Sequence, residues 1–262
     1  MMIIDLTGKT ALVTASSKGI GFGISKALLA AGANVCICSR NEDNLRTAES
    51  ELAQPDRVLA ITGDVADAAF LKELVSRAVD RFKVIDILVN NSGGPPAGEA
   101  LSLTEEQWLG AINGNLLSVI RLSSLVIPQM KNKGWGRIVN LTSTAAREPG
   151  AGMALSNVTR AGVAAYTKTL AQEVGPFGIT VNTILTGGVL TDRLNSLLER
   201  SIKDTGETFD EAIARIEKTI PVRHLSTPEE FAQTTLFLVS PQASYINGAA
   251  IAVDGGASKS TF

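Results

Sequence analysis

Thr14-Ala15-Ser16-Ser17-Lys18-Gly19-Ile20-Gly21 places two glycines, three small hydroxyl residues and a lysine between an apolar β-branched run and a segment of helical period. A strand-to-helix junction of this composition is an anion site. Gly19 and Gly21 let the backbone approach a pyrophosphate, and the helix start offers unpaired N–H groups and the positive end of its dipole. In this context the glycine pattern points to a dinucleotide. After the next strand the chain reads Ser39-Arg40, where a site for the unphosphorylated nicotinamide coenzyme usually carries Asp or Glu to bond the ribose 2′-hydroxyl. A guanidinium grips a 2′-phosphate in bidentate fashion, and Lys18 offers a second positive contact, so the charges favour NADP(H). The same arginine is also compatible with a plain surface position.

The elements that must position these residues alternate along the chain. Seven apolar runs read as strands: 10–14, 34–38, 57–61, 86–90, 136–141, 180–185 and 249–253. Between the first two, Ile20, Ile24, Ala27, Leu28 and Ala31 recur at helical spacing up to Gly32, where a left-handed residue ends the helix. Longer helical stretches are expected at about 67–82, 104–131, 154–174 and 228–239, with Thr104 and Glu106 or Gln107 marking a capped start. Strand and helix in alternation specify a parallel sheet. With no repeat, low-complexity tract or linker, residues 1–262 read as a single doubly wound Rossmann-type α/β domain, about seven parallel strands with helices on both faces. The charged, amphipathic stretch 191–220 interrupts the alternation at the carboxyl edge of the sheet, where a lid over a crevice would lie. A solvated pair of surface helices satisfies the same pattern. Likewise Leu190, Leu194, Leu197, Leu198 and Ile202 suit an apolar underside for acyl chains or packing on the core.

Composition narrows the partners. A formal charge of −2 and no basic cluster argue against nucleic acid. The opening Met1-Met2-Ile3-Ile4-Asp5 lacks a cationic, apolar leader pattern, and no apolar run approaches the roughly 18 residues of a membrane span, so a cytoplasmic protein is expected. Cys36 and Cys38 share one face of a strand and read as small buried thiols in preference to a metal or redox site.

Further motifs fall in register with the loop. These are Gly63-Asp64-Val65 after the third strand, Asn90-Asn91-Ser92-Gly93 after the fourth, Thr186-Gly187-Gly188-Val189-Leu190-Thr191 after the sixth, and Tyr245-Ile246-Asn247-Gly248 followed by Val253-Asp254-Gly255-Gly256 at the end. Together with the loop they resemble the short-chain dehydrogenase/reductase family over essentially the whole chain. The resemblance implies that Asp64 and Val65 contact adenine, that Asn91, Ser92 and Gly93 border the coenzyme, and that Gly187, Val189 and Thr191 lie beside the nicotinamide amide. It also implies a small carbonyl or alcohol substrate, and a homo-oligomer, tetramer or dimer, paired through the fourth and fifth helices and the last strand. Two positions depart from the motifs. Ala15 replaces the first glycine of T-G-x-x-x-G-x-G, at a cost of about 1 kcal/mol if φ must be positive, and Thr186 replaces a proline.

The family's hydride chemistry uses Asn, Ser, Tyr and Lys. Asn115 matches the asparagine that holds a water relay, and Ser143 the serine that polarises the substrate oxygen. The tyrosine position holds Ser156 and the lysine position Arg160, so Y-x-x-x-K has become S-x-x-x-R. An aliphatic hydroxyl is a far poorer acid than a phenol, and a guanidinium stays charged, so Arg160 can hydrogen-bond the nicotinamide ribose or a substrate anion but relays no proton. Loss of a positioned acid typically removes about 10² to 10⁴ in rate. Tyr166 lies roughly 15 Å further along the same helix, and Tyr245 sits in the last connection. Glu148, kept protonated by desolvation, is the one candidate substitute. Arg147-Glu148-Pro149 and Gly94-Pro95-Pro96 are expected to border the substrate crevice with Ser143 and Ser156, and the segments Gly93-Gly94-Pro95-Pro96 and Ser156-Asn157-Val158-Thr159-Arg160-Ala161-Gly162 resemble β-ketoacyl-reductase-like members whose cofactor motifs and tetrads are imperfect. His224 reads as a surface or interface residue, and Trp108 and Trp135 as packing residues. The expected reaction is reduction of a 3-oxoacyl-like carbonyl with altered proton-donor machinery. The competing expectation is an NADP(H)-binding pseudoenzyme serving as a sensor or assembly subunit.

Overall fold

Alternate residues of the first strand, β1 (Thr10–Val13), go to opposite layers: Ala11 and Val13 join one buried cluster and Leu12 the other. The same period-two split recurs along the central strands of the computed structural model, which describes residues 3–261. The elements follow as α1 (Gly19–Ala30), β2 (Asn34–Ser39), α2 (Glu42–Leu52), β3 (Val58–Thr62), α3 (Ala68–Phe82), β4 (Ile87–Asn90), α4 (Glu105–Ile112), α5 (Ser118–Lys133), β5 (Gly136–Leu141), α6 (Ala154–Val174), β6 (Ile179–Thr186), α7 (Asp192–Thr205), α8 (Phe209–Thr219), α9 (Pro228–Leu238) and β7 (Ala250–Val253). All strand pairs are parallel, in the order β3-β2-β1-β4-β5-β6-β7. One core, with Ile24, Leu28, Leu45 and Phe231, packs α1, α2 and α9 on one face. The other, with Leu71, Leu122, Met130 and Leu170, packs α3, α5 and α6 on the opposite face. The doubly wound sheet is thus the one expected, with strand ends displaced by a residue or two.

Three features depart from the sequence reading. Helix α2 went unnoticed because its residues are mostly polar; only Leu45, Ala48 and Leu52 are buried, and the Asn41 side chain caps it by accepting the Asn44 N–H at 2.8 Å. The expected helix at 104–131 carries a π turn at Asn113–Leu117 between α4 and α5. The helical run Glu105–Lys133 is long and apolar enough by composition to cross a membrane, contrary to expectation. In this fold Leu122, Val126, Ile127 and Met130 of that run are buried against the sheet.

The order reverses between β1 and β4, whose neighbours run outward in opposite directions. That divergence opens a crevice beyond their carboxyl ends. A buried polar ladder then fixes α6 over it: Asn90 donates to Asn140 at 2.7 Å, Asn140 to Thr167 at 2.8 Å, and Thr183 to Thr167 at 2.8 Å.

Candidate active site

Six helices, α2, α3, α4, α7, α8 and α9, begin with a side chain bonded to a first-turn N–H; α1 begins at Lys18 with none. Its first-turn donors are left for something outside the helix. The loop before it is held from below. Thr14 Oγ1 donates to the Asn91 carbonyl at 2.6 Å and accepts the Asn91 N–H at 2.9 Å, and Ser16 Oγ donates to the Val13 carbonyl at 2.7 Å while accepting the Cys38 N–H at 3.2 Å. Thr14 and Ser16, expected as coenzyme contacts, instead brace β1 against β4 and β2. Gly21 also lies beneath the loop. A Cβ there would stand 2.5 Å from the Ala15 carbonyl oxygen, so this glycine permits close packing of helix on loop, not approach of a ligand. Gly19 has φ +54° and does need a glycine, and Ala15 has φ 46°, a left-handed conformation that costs an alanine about 1 kcal/mol.

Above this support the crevice has two lobes. One, of about 720 Å³, is lined by Ser17, Ser39, Arg40, Asp64 and Val65, and by Gly114 and Asn115 across from them. Ser17 Oγ donates to Ser39 Oγ at 2.9 Å, tying the loop to the end of β2. Arg40 is 78% exposed and 3.9 Å from the Asp64 carboxylate, an open ion pair of little strength that leaves its fork available. Cys38 also borders this lobe, but burial pushes its thiol up to about 12 and the Cys36 thiol well up too, leaving both inert.

The second lobe, of about 390 Å³, joins Gly19, Ile20, Asn91, Ser143, Ser156, Arg160, Gly187, Val189 and Thr191. Lys18, Ser92, Gly93 and Arg193 line both. The serine at the end of β5 caps a short 3₁₀ turn: Ser143 Oγ accepts the Ala145 N–H at 3.2 Å, which leaves its own proton free to donate outward. Ser156 and Arg160 are one helical turn apart on α6 and share a face. Arg160 is 7% exposed. It donates to the Leu141 carbonyl at 2.8 Å and the Ser92 carbonyl at 3.4 Å, and its Nε is buried with no partner. Burial, aided by the nearby Arg193 charge, lowers its pKa to about 10, still a cation at neutral pH.

Asn115 does not reach this second lobe. The π turn aims its amide at the chain beyond β4, donating to Ser92 Oγ and the Gly93 carbonyl at 2.8 Å each, so its side chain holds the wall that separates the lobes. The candidate substitute acid is also elsewhere. Glu148 accepts the Ser260 N–H and Arg147 donates to the Ala250 carbonyl at 3.0 Å, because the turn after Ser143 faces the C-terminal strand; neither they nor Pro149 lines the crevice. Gly94 and Pro95 do line it, as expected. The stretch 191–220 forms α7 and α8, and its leucines divide: Leu194 and Leu197 face the second lobe, whereas Leu198 is buried. Arg193 was overlooked. Its only signal was adjacency to Thr191, and the fold brings its guanidinium across the crevice to donate to the Pro95 carbonyl at 3.1 Å. His224 is exposed and paired with Glu230 at 3.1 Å, which raises its pKa. Trp135 packs beneath Lys9 and Arg137, away from the crevice.

Comparison with known proteins agrees with this geometry. Residues 14–258 match the family model described as enoyl-(acyl carrier protein) reductase. The chain is 33% identical to the 3-oxoacyl-[acyl-carrier-protein] reductase FabG of Vibrio cholerae over 97% of this chain and 98% of that one. L-sorbose reductase from Gluconobacter frateurii, solved with NADPH and L-sorbose, superposes with a TM-score of 0.94 at 31% identity over 99% of this chain and 100% of that one. A short-chain oxidoreductase of Pseudomonas aeruginosa PAO1 described as containing an atypical catalytic center superposes with a TM-score of 0.90 at 32% identity, covering 98% of this chain and 100% of that one. On the strength of the matched model, the full-length relatives and the seven-stranded sheet, the chain belongs to the short-chain dehydrogenase/reductase family.

Proposed function

We propose that this protein is an NADP(H)-dependent reductase of a carbonyl substrate, 3-oxoacyl-like in class, that works without the usual phenolic proton donor. The observation that carries this reading is the convergence on one crevice of an uncapped helix start, an exposed guanidinium at the end of β2 held only by a long ion pair to Asp64, and two serine hydroxyls beside a buried arginine. Lys18, Gly19 and Ile20 would hold the pyrophosphate through backbone and ammonium, and Ser39 and Arg40 the 2′-phosphate. Val65 would lie against the adenine, and Val189 and Thr191 beside the nicotinamide. NADPH supplies the hydride when bound. Ser143, whose Oγ accepts the Ala145 N–H with one lone pair and keeps its own proton, would donate to the substrate oxygen, and the Arg160 cation stabilises negative charge there. The proton then comes from water, since Ser156 has an aliphatic pKa and no tyrosine lines the second lobe. Helices α7 and α8 are read as a lid, with Leu194 and Leu197 on its underside. The protein is further read as cytoplasmic and self-associating; β7 is an edge strand and Tyr245 is fully exposed, and size-exclusion chromatography with light scattering tests the association.

Mixing the purified protein and NADPH with acetoacetyl thioesters, aromatic ketones and sugar carbonyls, and following loss of absorbance, tests the activity. Turnover on at least one class is expected; none above background on any would overturn it. The missing tyrosine favours the second reading, a pseudoenzyme that binds NADP(H) as a sensor or subunit. On that reading Ser156→Tyr with Arg160→Lys leaves NADPH affinity intact and gains activity absent from the parent. Faster turnover by the parent than by the double variant would eliminate it.

A further inference from the structure

The second lobe holds two guanidinium groups and no carboxylate free to answer them. Arg160 is buried, bonds only to the neutral carbonyls of Leu141 and Ser92, and leaves Nε without a partner. Arg193 lines the same lobe and bonds only to the Pro95 carbonyl. Neither makes an ion pair among the described residues. The one acid in the lining, Asp192, is 74% exposed and paired with Lys18 at 3.4 Å. Glu148, the nearest acid in sequence to Ser143, is engaged with the Ser260 N–H.

A buried cation without a counter-charge is costly, and the cost is recovered when an anion enters. Beside the polar Ser143, Ser156 and Thr191, the lining includes the apolar Leu141, Met153, Val189, Leu194 and Leu197, and the lobe measures only about 390 Å³, part of it needed by the nicotinamide, which suits a small molecule with a single charged end. We infer that the carbonyl substrate is a short oxo acid whose carboxylate binds between Arg160 and Arg193, making these two arginines the residues that select it. This inference rests on the reductase reading above, reassigns Arg160 from the carbonyl oxygen to the carboxylate while leaving Ser143 to polarise the carbonyl, and adds the charge of the substrate to it. Arginine suits the task better than lysine because its planar fork meets both carboxylate oxygens, and its neighbouring carbonyl acceptors hold that fork in place.

Calorimetric titration of NADP⁺-loaded protein with acetoacetate and, separately, with methyl acetoacetate tests this directly, since the oxidised coenzyme carries out no reduction and binding is read alone. The two probes differ by one charge. Acetoacetate is expected to bind at least about tenfold more tightly than the ester, the discrimination of a charge-assisted hydrogen bond. Arg160→Met should bring that ratio to about one, Arg193→Met should lower it severalfold, and Arg160→Lys should restore part of it. Arg193 is exposed, so its variant remains informative if Arg160→Met does not fold. Equal affinity for acid and ester, or a ratio unchanged in Arg193→Met, overturns the inference. So does acetoacetate competing with NADPH for one site, which would assign the arginines to the coenzyme phosphates. NADPH affinity of the same protein is the separate arm: its absence overturns the reductase reading, while titration of the coenzyme-free protein with the two probes still tests the arginine pair.

Discussion

Two parts of the crevice are built from different materials. One part, the larger lobe beside β2 and β3 together with the α1 start whose Gly19 and Ile20 line the smaller lobe, is made from backbone: an uncapped helix start, a glycine at φ +54°, and strand ends whose register is fixed by the sheet. The rest of the smaller lobe, beside β5 and α6, is made from side chains, among them the Ser156 and Arg160 that the proposed reading sets at the tyrosine and lysine positions. Backbone sites tolerate substitution because the N–H groups are present whatever the side chain; Ala15 sits in a left-handed conformation at the cost of strain, and the loop keeps its shape. A side-chain site has no such reserve. On the proposed reading, a serine in place of a phenol and a guanidinium in place of an ammonium change which proton can move and which ligand charge is welcome, while α6 keeps its course.

The sharpest way to break this contrast is at the base of the loop. Gly21→Val would drive a side chain into the Ala15 carbonyl oxygen and the Ser16 Cα, backbone atoms that cannot swing aside. NADPH affinity should fall about a hundredfold and the melting temperature should drop, because overpacking of this kind costs about 1–3 kcal/mol. Gly93→Ala is the control: a Cβ there meets nothing within 4 Å, so the melting temperature should hold while coenzyme affinity falls if the nucleotide passes this wall. An unchanged affinity would detach the wall from the site. Next in size, Arg40→Ala should weaken NADPH by about tenfold or more, the loss of a charge-assisted contact, and leave NADH unaffected. Parallel losses for both coenzymes would return Arg40 to an ordinary surface role. Ala15→Gly, relieving φ 46°, should raise stability by up to about 1 kcal/mol, a shift of about 2–4 °C followed by scanning calorimetry. The smallest effect concerns His224. Its pKa is raised from 6.5 by its bond to Glu230, whose own is lowered from 4.5. The raised histidine contributes fully below 6.5 and fades as pH climbs through its folded pKa, while the lowered glutamate contributes above 4.5 and fades as pH falls through its own. His224→Gln should therefore lower the melting temperature slightly near pH 5.5 and leave it unchanged at pH 9; a uniform drop would deny the pair any electrostatic part.

Much of the fold was legible because each strand alternates between two buried layers and each crossover helix repeats at helical spacing. Helix α2 is the exception: Leu45, Ala48 and Leu52 keep the helical spacing, but three buried residues in a polar segment give too thin a signal. The coenzyme loop was legible as a motif, yet the reasons for its residues were not. Gly21 serves packing and Thr14 and Ser16 bind neighbouring strands, relations that exist only once β1 lies between β2 and β4. Local spacing also misplaced Glu148, whose turn faces the C-terminal strand, and gave no hint of Arg193, brought beside Arg160 from 33 residues away by α7 folding over the crevice. The π turn that redirects Asn115 leaves no mark in a hydrophobic pattern read at one helical period.

The claim on which the rest depends is that this crevice grips a dinucleotide bearing a 2′-phosphate. Isothermal titration of the unmodified protein with NADPH and with NADH, at one ionic strength, measures it most directly. Saturable binding of NADPH and at least about tenfold weaker binding of NADH are expected, the worth of one guanidinium on one phosphate. No heat from either coenzyme at millimolar concentration, or equal affinity for the two, would contradict it.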